Sequence, residues 1–410
     1  MVQLPPDFTR YTRQLMGDER FERYLQSFEE DAPVSIRLNP RSNGAWKVNE
    51  GKPVSWCRNA YYLEHRPNFT FDPLFHAGCY YVQEAASMFL DTVLQQHLPG
   101  RPVAALDLCA APGGKSTLLR TALPPGSKLY ANEPIRQRAS ILAENISKWG
   151  WSDCIVTNNY PRDYRKNKMK FDIILCDVPC SGEGMFRKDR ATIAEWSPQH
   201  VAQCQQLQRT IVADAWECLN EGGLLIYSTC TFNTKENEEN LRWILSEYDA
   251  EPIHVETEAG WNITGSLLEG FNAPVYRFIP GITRSEGLFI CALKKKGDPL
   301  SPALSSKKRQ KQPDLNILPL VTLSRENGTD NESPEHSCLL NYQQAIAYLR
   351  HEAVTLPPDA PRGIVCVSFE GEPLGLVKNI GTRANNLYPK EWKIRTTYIP
   401  QDYEAILTHA

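Results

Sequence analysis

The chain has 410 residues, 41% apolar and 23% charged, the profile of a soluble globular protein with room for two or three domains. A formal net charge of −3 excludes a chain that binds nucleic acid through its average charge, so such a role would need local patches. No apolar run is long enough for a membrane span, Met1 to Asp7 lacks the basic head and apolar stretch of a leader, and the twelve cysteines show no Cys-x-x-Cys spacing.

A zinc site and a secreted disulfide framework are therefore not expected, and a reducing cytoplasm suits the free thiols. Residues 1–95 read as a small N-terminal α+β accessory domain for RNA, with an amphipathic helix over Leu15 to Phe28 and a strand over Val34 to Leu38. From 96 to 296 apolar strands alternate with helical stretches, which predicts an α/β domain with a parallel sheet covered by helices. The strands are Val103–Leu108, Lys128–Asn132, Asp153–Thr157, Phe171–Cys176, Gly223–Tyr227 and Gly287–Lys294. Helices follow from Lys115, over Pro134 to Lys148, and over Pro198 to Leu219. Residues 297–337, rich in Pro, Ser and Asn, read as a flexible linker. Its start is basic from Lys294 to Lys311, a solvated tether or an RNA-backbone contact. Residues 338–410 carry short β-like runs at Gly363–Phe369, Gly375–Val377 and Trp392–Arg395, a small β-rich C-terminal domain.

The segment Ala110-Ala111-Pro112-Gly113-Gly114-Lys115-Ser116-Thr117 ends like a nucleotide-triphosphate loop. That loop needs a glycine where this chain has Cys109, so a P-loop NTPase is disfavoured. A carboxylate at the end of the first core strand, small residues and a Gly-Gly turn suit a different ligand approached closely by backbone. Glu133 ends the second strand, where an acid can hold ribose hydroxyls, and Asp177 ends the fourth. Three acids at strand ends beside a glycine turn point to a nucleoside cofactor.

Two cysteines follow strand ends at the same edge, in Asp177-Val178-Pro179-Cys180-Ser181-Gly182-Glu183-Gly184 and Tyr227-Ser228-Thr229-Cys230-Thr231. Carbon 5 of cytosine is a poor nucleophile. A thiolate that adds to carbon 6 turns the ring into an enamine whose carbon 5 can take a methyl group. An acid hydrogen-bonded to ring nitrogen 3 would stabilise the adduct, and a second thiol could aid release. Asp177, Cys180 and Cys230 supply these parts. The base must be unstacked to be attacked.

These motifs, with Asp107-Leu108-Cys109 before the glycine turn and Asn132-Glu133, resemble the Sun family of RNA cytosine-5 methyltransferases, closest to its bacterial RsmF-type branch. Ser35-Ile36-Arg37-Leu38-Asn39, Gly78 to Ser87, Gly375 to Asn379 and Asn385 to Pro389 extend the likeness over nearly the whole chain except the linker. The resemblance implies a Rossmann-like core that uses S-adenosylmethionine, and a PUA-like C-terminal domain. It also implies small-subunit ribosomal RNA as substrate, with transfer RNA as the alternative. It implies cofactor contacts from Cys109, Ala110, Ala111, Pro112, Gly113, Gly114, Lys115, Glu133 and Asp177, with Cys230 as nucleophile and Cys180 in release. The family often has an acid after the third strand. Here Asn159 or Tyr160 occupies that place, and Asn159 is the candidate contact to the adenine. A Pro-Cys attack, as in DNA enzymes, would instead choose Cys180.

Beyond Cys180, Met185-Phe186-Arg187-Lys188-Asp189-Arg190 sets three cations beside an aromatic, so Arg187, Lys188 and Arg190 are candidate RNA contacts. Asn385, Tyr388 and Trp392 are further ones. His65, His76 and His97 show no metal spacing. A monomer without membrane attachment is expected. The rival readings are an inactive RNA-binding member of the fold and a methyltransferase for protein or small molecules.

Overall fold

The computed structural model describes residues 2–297, 313–323, 337–396 and 398–410. Five parallel strands form its centre, in the spatial order Leu219–Thr229, Phe171–Asp177, Ala104–Asp107, Lys128–Asn132 and Cys154–Thr157. Leu288–Lys295 pairs antiparallel with Leu219–Thr229, and Ala250–Ile253 follows it at that edge, so the sheet is mixed rather than all parallel. The chain order reverses between Ala104–Asp107 and Phe171–Asp177. Ligands of doubly wound sheets bind at such a reversal, beyond the carboxyl ends of the strands.

The strands are continuous apolar runs because helices cover both faces. Leu129, Val156, Ile173, Leu175 and Ile226 pack into one buried cluster, while Leu106, Ile174, Cys176, Leu225 and Tyr227 pack into another on the opposite face. Helix Arg136–Trp149 starts two residues after Pro134 and stops at Gly150, whose left-handed φ of 80° suits glycine. Helix Pro198–Cys218 is capped by Ser197, whose Oγ accepts the His200 N–H at 3.1 Å.

The predicted helix over Leu15–Phe28 is instead two helices, Pro6–Met16 and Asp18–Gln26, broken at Gly17 with φ 78°. Their Phe8, Phe21 and Tyr24 share a core with Phe186, Trp196, Phe232 and Ile279 of the α/β domain. The strands Val34–Leu38, Ala60–Leu63 and Tyr80–Val82 turn the other way. Their Ile36, Leu63 and Tyr80 share a single core with Val365, Val367 and Val377 of the C-terminal domain. Leu407–His409 adds to this union by pairing with Trp46–Val48. The N-terminal segment thus joins two bodies rather than standing as one unit with its own core.

The C-terminal domain is β-rich, with Gly363–Phe369 against Glu372–Asn379. The expected run Trp392–Arg395 is no strand: Lys390–Trp392 is a short 3-10 turn. The linker reading fails for 313–323. Ile317 bridges Thr157 antiparallel, Leu318 N–H donates to Val156 O at 2.8 Å, and Leu318 is buried, so the segment caps the free edge of the sheet. The basic stretch beyond Gly297, to Lys311, lies outside the described residues. No described helix is long and apolar enough to cross a membrane.

Candidate active site

The reversal point brings Asp107 and Asp177 to the ends of adjacent strands. Asp107 is 1% exposed; its Oδ2 accepts Ser116 Oγ at 2.6 Å, while its Oδ1 has no partner. Burial pushes its carboxyl up to about 7. Glu133 is equally buried. Its Oε1 accepts the Ile135 N–H at 3.0 Å, its Oε2 lacks a hydrogen bond, and Arg138 stands 3.5 Å away. Between these acids, Gly113 sits at φ 120°, a conformation closed to side chains, and opens helix Gly114–Ala122. Buried acids with spare acceptor capacity beside a glycine turn fit the ribose and amino-acid groups of S-adenosylmethionine. Ala110 N–H, however, is bonded to Asn132 O, and the Cys109 thiol packs among Leu108, Cys176 and Val178. Burial holds that thiol well above the ordinary range. The Ala110 N–H and the Cys109 thiol are thus taken up inside the fold.

Lys115 reaches from the glycine turn to Asp177, Nζ to Oδ2 at 2.9 Å, and Ser228 Oγ donates to Asp177 Oδ1 at 2.6 Å. Burial opposes the charge on Lys115, but Asp177 outweighs it, with Cys230 adding to the pull, and the ammonium is held above its usual range. Past Asp177 and Thr229 the chain leaves both strands in loops that lie against one another. Cys180 Sγ and Cys230 Sγ are 3.2 Å apart. The Cys180 thiol is pushed well up, first by its hydrogen bond to Cys230, then by burial and by the charges of Cys230 and Glu236. The charge of Glu236 thus acts on Cys180, and that of Cys230 on the Lys115 ammonium.

Two glycines permit this contact. A Cβ on Gly184 would lie 2.6 Å from Cys230 O and 2.8 Å from Gly287 Cα, and Gly184 N–H donates to Cys230 O at 2.7 Å. Sequence reasoning overlooked the buried side chains behind the loops, Glu183, Asn233 and Glu236. A signal was present: Ser181 and Thr231 each follow a cysteine, and Asn233, Glu236 and Asn237 crowd polar residues before helix Glu238–Glu247 begins.

Two candidates are corrected. Arg187 is not at the surface: its side chain is 6% exposed, pairs with Glu286 at 2.7 Å and donates to Glu30 O at 3.0 Å. The loop folds back beneath the N-terminal helices, leaving Lys188 and Arg190 exposed. Asn159 gives its side-chain oxygen to the Asn316 N–H at 3.1 Å and its amide to Asn316 O at 3.2 Å, so one acceptor and one donor site of the side chain are taken up inside the protein. In the C-terminal domain Tyr388 is buried against Tyr348 and Trp392, while Asn385 is exposed.

Three family models match: 16S rRNA methyltransferase RsmB/F over 96–294, the N-terminal domain of 16S rRNA methyltransferase RsmF over 4–85, and the methyltransferase RsmF PUA domain over 336–394. Ribosomal RNA small subunit methyltransferase F of Cronobacter sakazakii is 30% identical over 406 residues, covering 83% of this chain and 84% of that protein. The protein of that name from Pectobacterium atrosepticum is 31% identical over 318 residues, 72% of this chain and 63% of its own length. Among solved structures, a methyltransferase homolog from Pyrococcus horikoshii matches with TM-score 0.58 and 25% identity, over 71% of this chain and 100% of its own. NSun6 from Pyrococcus horikoshii shares the fold, with TM-score 0.59 and 20% identity over 72% of this chain and 99% of its own. With the three models in chain order and a relative matched over most of both lengths, the chain belongs to the RsmB/F family of 16S rRNA methyltransferases.

Proposed function

We propose that this protein methylates carbon 5 of a cytosine in small-subunit ribosomal RNA, through a covalent adduct on Cys230. The observation that carries the reading is the pair of thiols at 3.2 Å beyond the reversal point, beside an aspartate gripped by Lys115 and Ser228. S-adenosylmethionine, when bound, supplies an electrophilic methyl group on a sulfonium. Ala111 to Gly113, Glu133 and Asp107 are the residues that would hold it.

Cys230 reacts as its thiolate, the nucleophilic form of the thiol. That thiolate adds to carbon 6 of the base, and the electron pair of the ring double bond moves toward the side of nitrogen 3. The Lys115–Asp177 pair donates a hydrogen bond at that nitrogen, which offsets the developing charge. Carbon 5 is then an enamine carbon, able to accept a methyl. Once methylated, carbon 5 gives its proton to water, the ring double bond re-forms, and the carbon–sulfur bond breaks with its electron pair returning to the Cys230 sulfur. Cys180, held as a thiol, donates a hydrogen bond to the departing Cys230 thiolate, Sγ to Sγ at 3.2 Å, and so stabilises it as a leaving group.

The test uses purified protein, small-subunit ribosomal RNA and S-adenosylmethionine. Cys230→Ala should lose methyl transfer and covalent complex together. Cys180→Ala should accumulate a protein–RNA adduct that survives denaturing electrophoresis. An adduct in Cys230→Ala and none in Cys180→Ala would reverse the assignment. Bisulfite sequencing of the RNA from cells lacking the gene would locate the target base.

A further inference from the structure

Behind the two cysteines lies a closed set of polar groups that the chemistry above does not use. Glu236 is fully buried and accepts from three directions: Ser181 N–H at 3.0 Å and Gln208 Nε2 at 2.7 Å on one oxygen, Asn233 Nδ2 at 2.7 Å on the other. Glu183, 1% exposed, accepts from Phe232 N–H at 2.7 Å and Asn233 N–H at 3.0 Å on one oxygen. Its other oxygen accepts Trp196 Nε1 at 2.9 Å and Asn233 Nδ2 at 3.1 Å. The hydroxyls of Ser181 and Thr231, one residue past each cysteine, meet at 2.9 Å. Each carboxylate therefore grows from one cysteine loop and grips the other: Glu183 belongs to the Cys180 loop, and Glu236 follows the Cys230 loop.

Taking two carboxylates out of water is costly, and partners on every side are needed to offset it. A stable domain could fill the same space with apolar side chains at no greater cost. The bonds run to the backbone next to the cysteines, and this sets the separation of the thiols. We propose that Glu236, with Asn233 and Glu183, is a positioning device that holds Cys180 in contact with Cys230 for the release step. The inference rests on the reading of Cys230 as nucleophile and Cys180 as the releasing thiol.

Glu236→Gln keeps the shape but not the acceptor count. A glutamine amide would face either Asn233 Nδ2 or the Ser181 N–H with a second donor. Asn233 cannot turn to help, because its Oδ1 already accepts Glu236 N–H at 2.9 Å. Ser181, and Cys180 with it, must shift, while Lys115 keeps its bond to Asp177.

The experiment compares wild type, Cys180→Ala, Glu236→Gln and Glu236→Asp as full chains, on small-subunit ribosomal RNA. Glu236→Gln should build up the covalent protein–RNA adduct with Cys180 still in place, and still transfer methyl in a single turnover. Multiple-turnover kcat should fall by about a hundredfold, the scale of a 1 Å misplacement of a reacting group. Glu236→Asp, which keeps the charge, should restore part of that turnover. A merely structural role would lower adduct, single-turnover and multiple-turnover yields in proportion. That outcome, with Cys180→Ala accumulating adduct, overturns the proposal and leaves the reading of the cysteines standing. Absence of adduct in Cys180→Ala overturns that reading, and the proposal with it. Should Glu236→Gln not fold, judged by loss of S-adenosylmethionine binding, Asn233→Ala cuts the same tie from the other loop. It should accumulate adduct, and failure to do so while it binds cofactor counts against the proposal.

Discussion

Asn159 and Asn316 exchange two hydrogen bonds, at 3.1 and 3.2 Å, and so fasten the segment between the catalytic and C-terminal domains to the cofactor side of the sheet. Next to them Asn158 Nδ2 donates to Glu133 O and Pro134 O, each at 2.8 Å, so the fastening reaches the backbone of Glu133, the acid proposed to hold the cofactor. Asn316→Pro removes the N–H that Asn159 accepts. It should cost about 1 kcal/mol of local stability, and a rise of roughly fivefold in the Kd for S-adenosylmethionine. Calorimetric titration checks this, and an unchanged Kd would separate the segment from the cofactor site.

Arg187 and its neighbours should part company on charge reversal. Arg187→Glu leaves Glu286 buried beside a like charge, and should destabilise the fold by about 3 to 5 kcal/mol. Lys188→Glu and Arg190→Glu should leave the melting temperature unchanged. Each should flatten the slope of log affinity against log salt for RNA by about 1. Thermal melts and a salt series of RNA binding decide. A stable Arg187→Glu protein would show that the buried pair is dispensable.

Gly184→Ala should inactivate the enzyme without loss of RNA binding. The added methyl would meet the Cys230 carbonyl at 2.6 Å and the Gly287 backbone at 2.8 Å, neither of which is a flexible side chain. The two loops must separate, and the thiol contact goes with them. Methyl transfer at wild-type rate in this variant would refute the close approach.

Asp72 makes stability depend on pH in a definite direction. It is buried, and accepts Tyr80 OH at 2.6 Å, Leu74 N–H at 2.9 Å and Tyr403 OH at 3.1 Å. Burial nonetheless raises its carboxyl from 3.8 to about 6. The folded state thus holds a proton that the unfolded chain has released, and the contribution of this group falls as pH rises from about 4 to 6. Urea midpoints of wild type minus Asp72→Asn should decline over that window and level off above it. A difference that rises with pH would contradict the sign.

The central sheet was legible because its strands are apolar on both faces and its ligand acids stand at their ends. Lys128–Asn132 and Gly363–Phe369 appear as read. Helix Leu15–Phe28 was misread because its periodicity runs through Gly17, and only the backbone shows the φ of 78° that breaks it. Arg187 was misread for a different reason. A cation in a loop looks solvated until its acid, ninety-nine residues later in the chain, is placed beside it.

By itself the sequence determined the local chemistry: the glycine turn, the acids that end the strands, and the two cysteines that follow them. Those features are set by spacing along the chain, and spacing is what a strand and its loop preserve. Only the tertiary structure decided which of these groups touch. The 3.2 Å contact of Cys180 with Cys230, the capture of Arg187 by Glu286 and the fastening of Asn316 to Asn159 all join residues far apart in the chain. Such pairs form because buried polar groups must find partners, and burial is a property of the packed molecule.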